Sequence, residues 1–250
     1  MNTLENQRVL VTGGARGLGL GIVEALVDQK ARVTVLGRDA GRLAEVKQRL
    51  GVDTVAGDIT DPELAARVLG ELRPEVLILN AGTLPKMGSL ADLSWEDFSA
   101  TWNHDVKAGL FWIQETLRRP LARGSRVLVG SSGAAVAGSP LSGGHAGAKR
   151  MLWLMANYAN GVSAERDLGI RYQTLVPQQI FGATEHGRVA AGAYAQKKGV
   201  SVEAFLTNFG RPMLAREYGD HVVTILTDPR YENATALGIK GDTGVRTLDT

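Results

Sequence analysis

The segment Thr12-Gly13-Gly14-Ala15-Arg16-Gly17-Leu18-Gly19 follows the apolar run Val9-Leu10-Val11 and opens a stretch of helical spacing. Gly13, Gly17 and Gly19 meet a physical demand there. The chain must turn sharply, its backbone must approach a pyrophosphate, and the helix must pack close to a strand. The unpaired N–H groups of that helix start, with Leu18 in the same turn, then face the phosphates. A second chemistry lies at His145, four residues before Lys149, so both side chains share one face of a helix. An unperturbed imidazole titrates near pKa ~6.5, against ~10 for a phenol, and a general acid or base works best near the operating pH. Lys149 beside it disfavours the imidazolium. The chain has no cysteine, which excludes a thiolate nucleophile, a zinc-thiolate site and a disulfide framework.

These groups need a scaffold, and the pattern of the chain predicts one. Apolar or β-rich runs fall at Arg8–Thr12, Arg32–Leu36, Asp53–Ala56, Glu75–Asn80, Arg126–Ser131, Ile170–Val176 and Ala234–Ile239. Val76-Leu77-Ile78-Leu79 and Val127-Leu128-Val129 do not alternate, the mark of strands covered on both faces. Between the runs, Ile22, Ala25 and Leu26, and then Leu43, Val46 and Leu50, recur at helical spacing. Thr60-Asp61-Pro62-Glu63 reads as a helix start, and Ser94-Trp95-Glu96-Asp97 is close to a capping box. Strand–helix alternation over the whole length predicts an α/β fold. It is a single-domain, doubly wound parallel sheet of about seven strands with helices on both faces, of Rossmann type, over residues 1–250. Its 250 residues, 44% hydrophobic and 22% charged, suit one core. A net charge of +2 without basic runs argues against nucleic acid. No run approaches the ~20 apolar residues of a membrane span. The start Met1-Asn2-Thr3-Leu4-Glu5-Asn6 lacks a signal-peptide pattern, so a cytoplasmic location is expected.

The glycine turn, Asn80-Ala81-Gly82 after the fourth strand, Ser131-Ser132, and Lys149 together resemble the short-chain dehydrogenase/reductase family. The resemblance covers the whole chain. It implies a nicotinamide cofactor, with Asp58 of Gly57-Asp58-Ile59 at the adenine amino group, Asn80, Ala81 and Gly82 along the adenosine side, and Lys149 on the nicotinamide ribose. It also implies that Ser132, thirteen residues before position 145, orients an acceptor carbonyl. The family carries Tyr where this chain has His145, and an Asn about forty residues upstream that here falls on Asp105, in Trp102-Asn103-His104-Asp105-Val106. An Asp105–His145 pair would favour the imidazolium and set the tautomer of His145. Two readings of position 145 stand: a working acid–base group, or a lost acid in an otherwise intact site.

Charge decides which cofactor is expected. An acid after the second strand accepts from a ribose 2′-OH in NAD sites, but this chain reads Leu36-Gly37-Arg38. With Arg16 in the glycine turn, two guanidinium groups suit the 2′-phosphate of NADP(H). After the sixth strand, Pro177-Gln178-Gln179-Ile180-Phe181-Gly182 departs from the family's Pro-Gly. Ile180 can still offer its backbone to the carboxamide, and the two glutamines either face the reacting end or solvent. Residues 182–210, with no strand pattern, fall where the family places a substrate lid, which puts Tyr194 and Phe205 near substrate. Trp95, Trp102, Trp112 and Trp153 read as packing or subunit-contact residues. His186 and His221 lack partners at metal spacing, so no metal site is expected. The expected activity is NADP-dependent reduction of a small organic carbonyl, imine or activated alkene, by a homo-oligomer (dimer or tetramer). The alternatives are non-redox acid–base chemistry and a nucleotide-binding scaffold.

Overall fold

Val76-Leu77-Ile78-Leu79 is buried at every position, and consecutive residues part to opposite sides of one sheet. The computed structural model describes residues 3–248; positions 1–2 and 249–250 of the expected single-domain span lie outside the described residues. The strands are β1 (Arg8–Thr12), β2 (Arg32–Gly37), β3 (Asp53–Ala56), β4 (Val76–Leu79), β5 (Arg126–Gly130), β6 (Arg171–Pro177), β7 (Ala236–Lys240) and β8 (Gly244–Thr247). Their order is β3-β2-β1-β4-β5-β6-β7-β8. Every neighbouring pair is parallel except β7 with β8. The sheet therefore has eight strands, not about seven, and is mostly rather than wholly parallel. The extra strand is a short, half-exposed edge after a tight turn, too polar to read as a buried run.

The helices are α1 (Gly17–Asp28), α2 (Ala40–Leu50), α3 (Pro62–Leu72), α4 (Trp95–Thr101), α5 (Lys107–Arg118), α6 (Ala134–Ala137), α7 (His145–Glu165), α8 (Glu185–Lys198), α9 (Val202–Leu206) and α10 (Ala215–Thr227). Asp61 caps α3 by accepting from the Glu63 N–H, and Ser94 caps α4 by accepting from the Asp97 N–H. On one face of the sheet, Val9, Val11, Val33 and Ile78 meet Ile22 and Leu26 of α1 and Val222 and Ile225 of α10. On the other, Leu10, Leu77 and Val127 meet Val68 of α3, Trp112 of α5 and Leu152 of α7. Each such side chain contributes ~1.5–3 kcal/mol when fully buried, so two covered faces hold the sheet stiffly enough to present its strand ends. The strand order reverses between β1 and β4, where open α/β sheets form a crevice at the carboxyl ends. No helix among the described residues is long and apolar enough to cross a membrane.

Candidate active site

One cleft of about 1310 Å³ opens at those strand ends. Gly13, Arg16, Gly17 and Leu18 after β1, and Arg38 after β2, line one end of it. Asn80, Ala81 and Gly82 follow β4, Ser132 follows β5, and Ile180 follows β6. His145 and Lys149 enter from the first turns of α7. Gly19 and Asp58 sit just behind this wall rather than in it, with Gly57 and Ile59 lining the cleft in place of Asp58.

The glycine turn is held by its neighbours. Asn80 donates from Nδ2 to the carbonyls of Thr12 and Gly13 at 3.4 and 3.3 Å, and the Thr12 hydroxyl accepts from the N–H groups of Asn80 and Ala81. Gly13 has φ 68°, and a Cβ there would lie 2.7 Å from Ala81 Cα. A Cβ on Gly19 would lie 2.2 Å from the Gly13 carbonyl oxygen. Only glycine fits either place, and the resulting hollow at the α1 N-terminus fits a dinucleotide pyrophosphate. Asp58 accepts from the Thr60 N–H and hydroxyl at 2.8 and 2.9 Å. The Thr60 N–H is the main reason its carboxyl stays below the usual range. Arg38 makes no salt bridge among the described residues, whereas Arg16 is paired with Glu185, the first residue of α8.

At the other end a buried ion pair dominates. Lys149 Nζ lies 2.9 Å from Asp105 Oδ2, and Asp105 is only 3% exposed. Asp105 Oδ1 also takes the Thr83 N–H at 2.8 Å and contacts His104 Nδ1 at 2.8 Å. Burial alone would raise this carboxyl. The Lys149 ammonium and the hydrogen bonds from His104, Lys149 and Thr83 outweigh it and hold Asp105 at about 2. A Cβ on Gly82 would stand 2.9 Å from Asp105 Oδ2, so the glycine leaves room for the pair. The expected Asp105–His145 pair is not formed: Asp105 is engaged by Lys149 and His104, and His145 Nδ1 is buried with no hydrogen-bond partner. The cause is local. Trp102–Val106 is a single π-helical turn between α4 and α5, pinned by the Trp102 Nε1–H to the Gly144 carbonyl at 3.1 Å.

His145 also departs from the near-neutral imidazole expected from composition. Burial, then the Lys149 ammonium and His186, push it down to about 3, against a weaker pull from Asp105. It is therefore a neutral ring at physiological pH. The ring of His186, on α8, stands 5.3 Å from it. Burial and Lys149 lower His186 too. Three of the chain's four histidines, His104, His145 and His186, border the cleft. No grouping of three or more His, Cys, Asp or Glu suited to a metal occurs among the described residues.

Sequence spacing missed His104, Glu185 and His186. His104 adjoins Asp105, but its inward turn depends on the π segment, and nothing in the pattern of 182–210 marks residues 185 and 186. That segment forms α8, α9 and a short 3-10 turn. Tyr194 lies within it, hydrogen-bonded to Ser139 Oγ at 2.8 Å and stacked on Phe205. Gln178 and Gln179 line the cleft, but their amide oxygens accept from Arg246 and from the Gly241 N–H. Trp112 and Trp153 are buried, while Trp95 is 77% exposed.

Comparison with known proteins agrees with this geometry. The family described as short chain dehydrogenase matches residues 7–180. The uncharacterized short-chain type dehydrogenase/reductase y4eK of Sinorhizobium fredii is 34% identical over 127 residues, 50% of this chain and 51% of that protein. Carbonyl reductase [NADPH] 2 of Sus scrofa is 31% identical over 115 residues, 46% of this chain and 47% of that protein. The matched part is about half the length of these curated relatives. A solved structure of a proposed betaketoacyl-ACP reductase superposes with TM-score 0.74 at 22% identity, covering 95% of this chain and 98% of that one, which is a likeness of fold.

Proposed function

Because the chain belongs to the short chain dehydrogenase family, we propose that this oxidoreductase is an NADP(H)-dependent reductase of a small organic carbonyl, imine or activated alkene. The observation that carries the reading is one cleft that joins the glycine turn and Arg38 to Ser132, His145 and Lys149. Gly13, Gly17, Leu18 and Gly19 would hold the pyrophosphate, and Asp58, Asn80, Ala81 and Gly82 the adenosine side. Lys149 would hold the nicotinamide ribose, and the Ile180 backbone the carboxamide. When bound, the reduced cofactor supplies a hydride to the acceptor carbon. Ser132 and the neutral His145 ring would hydrogen-bond the acceptor oxygen, which takes its balancing proton from solvent water entering the open cleft. Asp105 holds Lys149 in place through their 2.9 Å contact. The 182–210 segment acts as the lid. Exposed Trp95 on α4 and Tyr158 on α7, 77% and 60% accessible, are the surface through which copies of a cytoplasmic homo-oligomer (dimer or tetramer) would meet.

The test is NADPH oxidation against a panel of aldehydes, ketones, cyclic imines and enones. His145→Ala is expected to lower kcat about ten- to a hundredfold, the loss of one hydrogen bond of roughly 1.5–3 kcal/mol to the charge that develops on the acceptor oxygen. His145→Tyr is expected to keep or raise carbonyl reduction, because a phenol there would have Ser132 and Lys149 as neighbours. No oxidation of bound NADPH with any acceptor would overturn the reductase reading. Turnover of a substrate with no change at the nicotinamide absorbance band would favour non-redox acid–base chemistry instead.

Cofactor choice has its own test, equilibrium binding of NADPH and NADH. A charge-assisted hydrogen bond is worth roughly 1.5–3 kcal/mol, so Arg38→Ala is expected to weaken NADPH about ten- to a hundredfold. NADH, which lacks the 2′-phosphate, should change little. Equal weakening of both cofactors would place Arg38 away from the 2′-phosphate. The name of the pig relative, a carbonyl reductase that uses NADPH, points the same way.

A further inference from the structure

Two consecutive residues at the start of α8 touch opposite ends of the cleft. Glu185 pairs with Arg16 in the glycine turn, and His186 packs its ring 5.3 Å from that of His145 at the reacting end. We propose that this turn is a positioning element. Glu185 holds the Arg16 guanidinium until a cofactor phosphate takes its place, and the exchange resets His186 against His145. The proposal rests on the NADP(H) reading and adds to it how the phosphate end and the acceptor end are linked.

The linkage needs three properties, and the structure has each. First, Glu185 and His186 must be tied to one another. Thr184 caps α8 by accepting from the Gly187 N–H at 3.0 Å, and its hydroxyl donates to the Phe181 carbonyl at 2.9 Å. A Cβ on Gly187 would lie 2.0 Å from that same carbonyl oxygen, so the turn is packed against the chain after β6. Second, the Arg16–Glu185 pair must be replaceable. Its side chains are 56% and 53% exposed, and exposed ion pairs are weak. A phosphate can take the same guanidinium through two charge-assisted hydrogen bonds. Third, His145 must depend on His186 for its setting. Asp105 is occupied by Lys149 and His104, and His145 Nδ1 has no hydrogen-bond partner, so packing rather than hydrogen bonding orients the ring. His186 is therefore a positioning residue that acts through His145.

The experiment uses the full-length protein with ¹⁵N-labelled histidine, which gives one set of ring signals for each of four histidines. NADP⁺ is the probe, and affinity is measured in parallel. In the wild type, saturation with NADP⁺ is expected to move the His145 and His186 signals. Glu185→Gln, a change at an exposed position, is expected to tighten NADP⁺ about two- to fivefold, because Arg16 loses its competing carboxylate. It should also shift the His145 signal of the free protein towards its bound position. His186→Ala should leave NADP⁺ binding intact while the His145 signal no longer moves, and His186→Phe, which keeps a flat ring in contact, should restore the movement. A gain below twofold in Glu185→Gln would overturn the proposal. So would movement of His145 that persists in His186→Ala, since that would be direct contact with the cofactor. In those cases the cofactor reading stands. Failure of the wild type to bind NADP⁺ would overturn both.

Discussion

Asp105→Ala is expected to destabilise the fold by about 3–5 kcal/mol, the usual loss when one partner of a buried ion pair is removed. The carboxylate is the anchor for three groups: the Lys149 ammonium at 2.9 Å, the Thr83 N–H at 2.8 Å and His104 Nδ1 at 2.8 Å. Without it an ammonium on a side chain only 9% exposed has no counter-charge. Asp105→Asn keeps an acceptor for the Thr83 N–H but not the charge, so an intermediate loss is expected. The double variant Asp105→Ala/Lys149→Met removes both charges and should recover most of the stability, because apolar replacement of a buried pair is often close to neutral. The measurement is urea unfolding at pH 7, read as a shift of midpoint at constant slope. The sign with pH is fixed by the depressed carboxyl. Its contribution is complete above the ordinary value of 3.8 and disappears as pH falls through about 2. A loss below about 1 kcal/mol in Asp105→Ala, the range of an exposed pair, would mean that water reaches Lys149 in solution.

The parts of the site legible in the sequence are those in which one residue type answers one local geometry. Gly13 and Gly19 had to be glycine because Ala81 and the Gly13 carbonyl leave no room for a Cβ. Asn80 sits where a strand end passes the glycine turn, and Lys149 follows His145 by one helical turn. The buried strands were equally plain, since Val76-Leu77-Ile78-Leu79 feeds both faces of the sheet. What sequence could not give was partnership across elements. Asp105 reads as a companion for His145, but the π-helical turn at Trp102–Val106 delivers it to Lys149 and His104. Glu185 and His186 carry no spacing signal, because their partners Arg16 and His145 lie on other elements. The state of His145 was also out of reach: its imidazole is ordinary by type and is changed only by its burial and by what packs around it.

That change gives the last expectation, an acid limb of stability that begins well above the carboxylate range. His145 titrates at about 3 in the fold against an ordinary 6.5, mainly through burial, then through Lys149 and His186. Below about 6.5 the unfolded chain takes up a proton that the folded chain refuses, so stability falls with falling pH. The full contribution is present above 6.5 and is lost by about 3. Each pH unit within that window weakens the fold by up to about 1.4 kcal/mol, or about 2–3 kcal/mol between pH 6.5 and pH 4.5. Asp105 does not contribute there, because its own window lies below 3.8. Urea unfolding at pH 7.5, 6 and 4.5 measures the limb, and His145→Phe, which keeps a ring but removes the titrating group, is expected to flatten it by about 2 kcal/mol. An acid limb of equal depth in wild type and His145→Phe would show that His145 is solvated, and would return its imidazole to the near-neutral range in which it can carry a proton itself.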